Sequence, residues 1–213
     1  MQKLTVKTLR LAFLLGSASL LTAALSLHAG DSNSSGFYIG TDLGVNLADK
    51  LTTPSLSISL DPGLRWDVSM GYAIKLSDQF TLAPELETGI LYNSLDKGTL
   101  TGGSSVPVSG EYFQVPLLAN LVLNWHFTPH WVAYAGAGGG FDADTLNVSS
   151  VNNTPITDIG SEVDAAWQVE AGVRYKFGGS SDLGLGYEYL AATPNGLKTV
   201  GNSAILASYT FHF

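Results

Sequence analysis

The last eleven residues, SAILASYTFHF at 203–213, limit the possible folds more than any other stretch. Side chains of an extended strand alternate faces with period two. Ile205, Ala207, Tyr209, Phe211 and Phe213 therefore share one face, and Ala204, Leu206, Ser208, Thr210 and His212 the other. On a soluble domain, three aromatic rings on one face of a terminal strand would lie frayed and wet. The same face is at home against lipid.

Seven earlier stretches read as strands, five of them with the same clean alternation. At 36–47, Phe37, Ile39, Thr41, Leu43, Val45 and Leu47 oppose Tyr38, Gly40, Asp42, Gly44 and Asn46. At 64–75, Leu64, Trp66, Val68, Met70, Tyr72 and Ile74 oppose a phase holding Arg65, Asp67 and Lys75. The stretches 80–93, 165–177 and 182–190 repeat the pattern, with Glu85, Glu87, Glu170, Arg174, Lys176 and Glu188 on the polar side. At 111–126 the polar face is interrupted by Leu118 and Val122. The stretch 131–141 is mostly Ala and Gly after Tyr134, so its faces are not assignable from sequence. Pro84 cannot donate to a ladder, which predicts a bulge or a membrane-boundary position there.

The connections alternate long and short. Tight turns are expected at 76–79, 127–130 and 178–181, and long loops around residues 48–63, 94–110, 142–163 and 191–202. Eight strands of about 9–11 residues, an even number, fit an all-β, eight-stranded antiparallel up-and-down transmembrane β-barrel. Both termini then lie with the short turns on the periplasmic side, and the four long loops lie outside.

The alternation would also suit a soluble barrel with an apolar interior. Three features favour the lipid-facing reading. Gly40, Gly44, Gly71, Gly89, Gly172, Gly184 and Gly186 share the polar phase, which suits a crowded narrow lumen. Trp66, Trp125, Trp167, Tyr72, Tyr175, Phe177, Tyr187, Tyr189 and Phe213 fall mainly near strand ends of the apolar phase, as interfacial girdles do. Charges keep to the glycine phase, and an Arg or Lys facing lipid at the midplane would cost ~2–4 kcal/mol.

Residues 1–29 carry Lys3, Lys7 and Arg10, then an apolar run to Leu27, then His28, Ala29 and Gly30. This is a secretory signal peptide pattern with cleavage expected after Ala29, leaving one barrel domain at 30–213. Cleavage removes three of the ten basic residues and none of the eighteen acidic ones, so the mature charge is 7 minus 18, or −11. That balance argues against nucleic acid as a partner. The absence of cysteine excludes disulfides and thiolate chemistry. The mature chain has no apolar run approaching ~20 residues, so a membrane role demands a closed barrel.

A terminal Phe with aromatics two and four residues before it (Tyr209, Phe211, Phe213) resembles the assembly signal of bacterial outer-membrane barrels. The stretch QVPLLAN at 114–120 and the glycine-rich YAGAGGG at 134–140 extend the resemblance, which is to the OmpA-like small eight-stranded outer-membrane barrels. It implies the bacterial outer membrane as location, secretory export, and a monomer. The implied partners are outer-membrane lipid, lipopolysaccharide and the barrel-assembly machinery, the last through the C-terminal strand. The peptidoglycan-binding domain that often follows such barrels does not follow Phe213, so tethering by that route is not expected.

The candidate site is a lumen charge network of Asp42, Arg65, Asp67, Lys75, Glu85, Glu87, Glu170, Arg174, Lys176 and Glu188. Charges enclosed in a narrow barrel must pair, because an unpaired buried ion is costly. Two readings follow: a structural network that plugs the lumen, or a gate whose pairs exchange to pass small solutes or hydrophobic ligands. Leu118 and Val122 would suit an apolar pocket in the second reading. No catalytic, cofactor or metal residue is expected. His126, His130 and His212 are expected at the periplasmic rim as interfacial residues packed beside Trp125, Trp131 and Phe213, away from any serine nucleophile. Asp142, Asp144, Asp158 and Glu162 offer oxygens for calcium, but the run lacks the Gly and distal Glu of an EF-hand and reads as a solvated acidic loop. The expected role is structural or surface-interactive, with an enzyme set aside.

Overall fold

The computed structural model describes residues 35–54, 56–100, 102–194 and 198–213, with the backbone alone for residues 156–159. The leader at 1–29 lies outside the described residues.

Strands are β1 (Gly36–Ala48), β2 (Leu51–Thr52), β3 (Leu56–Leu60), β4 (Gly63–Lys75) and β5 (Phe80–Leu100), followed by β6 (Ser105–His126), β7 (Trp131–Val151), β8 (Thr154–Phe177), β9 (Ser181–Ala192) and β10 (Val200–His212). Eight of them form an antiparallel ring in the order β1, β4, β5, β6, β7, β8, β9, β10. β1 closes it against β10, from Tyr38 opposite His212 to Ala48 opposite Asn202. Closure leaves no unpaired edge in lipid, which is the condition for a sheet to cross a bilayer. The alternation thus builds the eight-stranded barrel that it implied. The short β2–β3 hairpin is additional and joins the outer end of β5.

The burial is inverted relative to a soluble domain. Leu43, Leu86, Leu117, Leu121, Leu185 and Ile205 point outward and are exposed, while Arg65, Asp67, Gln114 and Gln168 point inward and are buried. The outward apolar belt runs from Trp131 to Phe141 on β7 and from Val163 to Phe177 on β8. Ring pairs line its periplasmic end: Phe37 with Tyr72 at 4.8 Å, Trp131 with Tyr175 at 5.1 Å, and Phe211 with Phe213 at 5.1 Å. Trp167 and Tyr189 pair at the outer end, 5.5 Å apart. Tyr209 is exposed on the lipid face, and Phe211 and Phe213 are half-buried.

Beyond the belt the structure departs from the long-loop expectation. β5 to β8 are 21, 22, 21 and 24 residues long and continue as paired ladders well past lipid. The expected loop at 94–110 is mostly ladder, with Thr99 opposite Ser105. The expected loop at 142–163 ends in a two-residue hairpin turn, Asn152 and Asn153 at φ 49° and 61°. Two left-handed residues define a type I′ turn, whose twist matches the flanking strands, and asparagine tolerates that region. The ladders persist because their inward phase turns apolar. Leu95, Val108, Tyr112 and Val148 pack with Leu51 and Ile58 of the hairpin and with Val200 into a second core.

Pro84 produces no bulge. Pairing to β4 lapses between Gly71–Glu85 and Ile74–Leu82, and the register is the same on both sides of the gap. The faces of the Ala/Gly stretch are resolved on β7. Val132, Tyr134, Gly136, Gly138 and Gly140 turn inward, and Trp131 and Phe141 outward.

Candidate functional site

The inward residues stack in layers, each set by its register position. At the periplasmic mouth, Lys176 Nζ lies 3.0 Å from His126 Nδ1, and His212 Nε2 lies 3.0 Å from Asp182 Oδ2. Tyr38, Thr81, Asn124, Arg174, Asp182 and the two histidines line a small cavity there. This corrects the expectation for the histidines. His126 and His212 occupy inward positions of β6 and β10, so they belong to the lumen. Only His130 meets the interfacial aromatics, 6.0 Å from the Tyr175 ring.

One layer outward, Arg174 stacks 3.9 Å over the Tyr134 ring and donates from Nη1 to Asn124 at 3.2 Å. Glu85 accepts from the Tyr38 hydroxyl at 2.8 Å. Glu170 lies over Gly136, where an added Cβ would come 2.6 Å from Glu170 Oε1. The inward glycines therefore act as seats for long polar side chains. Gly89 does the same for Asp67, whose Oδ1 would lie 2.0 Å from a Cβ there.

The next layer is centred on Arg65, which has no exposed surface. Its Nε pairs with Asp67 at 2.6 Å, and its Nη2 with Glu87 at 3.0 Å and Glu188 at 2.5 Å. Nη2 also donates to Gln168 at 2.7 Å. Glu87 accepts further from Asn120 at 2.7 Å and from Gln168 at 2.9 Å. These bonds connect β4, β5, β6, β8 and β9: the guanidinium itself joins β4, β5, β8 and β9, and Glu87 brings in β6 through Asn120. Buried, charge-assisted bonds of this kind are the strong ones, because the low dielectric that makes an unpaired charge costly also strengthens a paired one.

Above the charges, Leu91, Leu118, Leu190, Ala166 and Ala192 form an apolar layer, with Leu91 and Leu190 fully buried. Leu118 is thus a filled position, and Val122 packs separately with Tyr38, Ala73, Ala83 and Tyr134. Asn46 follows, donating to Asn93 at 2.7 Å and to Asn202 at 3.0 Å. Gly63 permits the Asn93 contact, since a Cβ there would lie 2.6 Å from Asn93 Nδ2.

Of the ten sequence candidates, Arg65, Asp67, Glu87 and Glu188 meet in one cluster, with Glu85 and Glu170 adjoining it. Arg174 and Lys176 lie toward the periplasm. Asp42 is half-buried and stands opposite Asp67 and Ser208 in the ladder. Lys75 is not in the network. It is exposed at the periplasmic turn and pairs with Asp78 at 2.8 Å, which holds the Asp78 carboxyl below the usual range.

The residues not singled out from sequence are Tyr38, Gln114, Asn120, Gln168 and the three asparagines. For Asn46, Asn120 and Gln168 the signal was the shared phase, since each alternates with outward apolar neighbours. The supposed acidic loop is also strand. Asp142 accepts from Gln114 at 2.5 Å and Asp144 from the Tyr112 hydroxyl at 3.2 Å. Asp144 stands beyond the apolar belt, and burial together with the Asp142 carboxylate raises it to about 6.

A closed ring with lipid outside and charges inside defines an integral outer-membrane β-barrel. The chain belongs to the family described as outer membrane protein beta-barrel domain, whose profile matches residues 17–213. Among solved structures it is similar to Neisserial surface protein A (NspA), at 18% identity and TM-score 0.54, covering 84% of this chain and 98% of that one. OprG from Pseudomonas aeruginosa is similar at 11% identity and TM-score 0.51, with 86% and 98% covered. The outer membrane protease OmpT from Escherichia coli is similar at 8% identity and TM-score 0.52, with 87% and 99% covered. Identities this low establish the shared fold alone. No curated protein matches by sequence.

Proposed function

We propose that this barrel serves as a structural and surface-contact protein of the bacterial outer membrane, with a lumen closed to solutes. Export through the secretory pathway and assembly through the C-terminal aromatic strand accompany this reading. The observation that carries it is the Arg65 cluster lying under the apolar layer of Leu91, Leu118 and Leu190. Water and ions would have to cross both a paired charge layer and a dry one, and parting the Arg65 pairs would leave buried charges uncompensated.

The extracellular ladders then present a stiff platform. Asp49, Asp61, Asp96 and Glu111 outnumber Lys50, Lys97 and Lys198 there, so the surface favours cationic partners over anionic ones.

The test is single-channel recording of the refolded mature chain in a planar bilayer. The reading predicts a silent membrane with correctly folded protein incorporated. Regular openings from wild-type protein would favour a gated channel for small solutes instead.

A further inference from the structure

Two carboxylate triads meet inside the barrel, and they differ in what balances them. Asp67, Glu87 and Glu188 each lie within 3.0 Å of the Arg65 guanidinium. Glu85, Glu87 and Glu170 form the second triad, with one oxygen from each within 4.8 Å of the other two. Among the described residues, no cationic side chain is ion-paired with Glu85 or Glu170. Arg174, the nearest candidate, is turned aside onto Tyr134 and Asn124.

The second triad is otherwise well ordered. Tyr38 holds Glu85, while Asn120, Gln168 and Arg65 hold Glu87. Gly136 makes room for Glu170, which is 8% exposed and whose Oε1 is buried with no hydrogen-bond partner. A buried carboxylate oxygen without a donor, beside two other carboxylates, is left without an ion-pair partner, since Arg174 acts on it only from beyond contact.

We propose that Glu85, Glu87 and Glu170 bind a divalent cation inside the lumen, with calcium the best fit. The donors are all oxygens, which disfavours zinc and the softer transition metals. Ligands opposite one another on calcium lie about 4.8 Å apart, twice a ~2.4 Å metal–oxygen distance, and calcium tolerates irregular geometry that magnesium does not. The ion joins β5 to β8 across the barrel, two strands separated in the ring by β6 and β7. It therefore acts as a cross-brace beside the Arg65 cluster. The site does not depend on whether the lumen conducts.

The test is equilibrium dialysis of calcium against the mature chain, refolded in lipopolysaccharide-free zwitterionic micelles and stripped with EDTA. Folding is monitored separately by gel mobility of unheated samples. Wild type binds one calcium, and its melting midpoint rises by ~5 °C or more at saturation. Glu170→Gln and Glu85→Gln, folded by the gel criterion, bind about tenfold or more weakly, because affinity follows ligand charge. Asp144→Asn, in the extracellular acidic set, binds as wild type does. Three results would overturn the site: no calcium bound by folded wild type, binding unchanged in Glu170→Gln, or binding lost in Asp144→Asn. If the glutamine variants melt higher than wild type and calcium changes neither, the triad holds protons and the proposal also fails.

Discussion

The membrane belt and the extracellular ladders are the same strands under opposite rules. On β5, Leu86 faces lipid while Glu85 and Glu87 face in; a few residues further out, Leu95 faces in and Asp96 faces out. The backbone period does not change, but the solvent does. Within lipid the apolar phase must point outward, and the enclosed phase is free to hold charges provided they pair. Beyond lipid the outward phase meets water, and only an inward apolar phase, Leu95, Val108, Tyr112 and Val148, gives the ladders a reason to stay paired. The barrel is thus held by ring closure and a polar core, and the extension by hydrophobic burial of the ordinary kind.

The largest expected effect lies in the polar core. Arg65→Ala leaves Asp67, Glu87 and Glu188 buried without their cation, and removal of one partner from such a set costs about 3–5 kcal/mol. Urea unfolding from micelles should show that loss for the whole barrel. In the apolar core, Leu95→Ala should cost ~2–5 kcal/mol. Because it sits above the belt, the loss should appear as faster proteolysis of the extension, with the melting of the membrane part little changed. A result in which Leu95→Ala unfolds the barrel as Arg65→Ala does would show that the two regions are one cooperative unit.

A smaller effect is expected at the hairpin tip. Asn153→Ala places a Cβ-bearing residue without asparagine's local bonding at positive φ, a cost of ~1 kcal/mol, and should raise amide exchange only near the ends of β7 and β8. The smallest effect is set by pH. Asp144, raised to about 6 in the fold, favours the folded extension while protonated. Its contribution is complete below the ordinary carboxyl value of ~3.9 and is lost as pH rises through 6. The extension should therefore resist proteolysis better at about pH 5 than at about pH 7, and Asp144→Asn should reduce the difference.

This contrast also explains how much of the protein was legible in its sequence. Period-two alternation against lipid is a strong signal, so the eight membrane strands, their turns and the inward phase of the charges could be read directly. The ladders above the belt could not be. Their outward faces are Ser, Thr, Gly and Asp, which read as loop, and the apolar residues that hold them, such as Leu95 and Val148, are sparse.

The Ala/Gly strand hid its faces because small residues suit both sides. In the structure, Glu170 over Gly136 and Asn120 beside Gly138 mark the inward side, as do buried Val132 and Tyr134. The charged members of the site were visible by phase, but their pairing was not. Arg65 joins residues from β4, β5, β8 and β9, a convergence fixed by the ring's register. The histidines were misplaced for the converse reason: their proximity in sequence to Trp125, Trp131 and Phe213 outweighed the phase that turns His126 and His212 inward.

The change of rule between the two regions can be measured directly, because the chain has no cysteine of its own. Single cysteines at Leu86, Leu95 and Asp96, each spin-labelled in reconstituted protein, report collision with oxygen, enriched in lipid, and with a water-soluble paramagnetic complex. The inversion predicts oxygen access at 86, shielding from both reagents at 95 and access from water at 96. Lipid-like oxygen access at 95 would contradict it, by placing the apolar phase outward along the whole of β5.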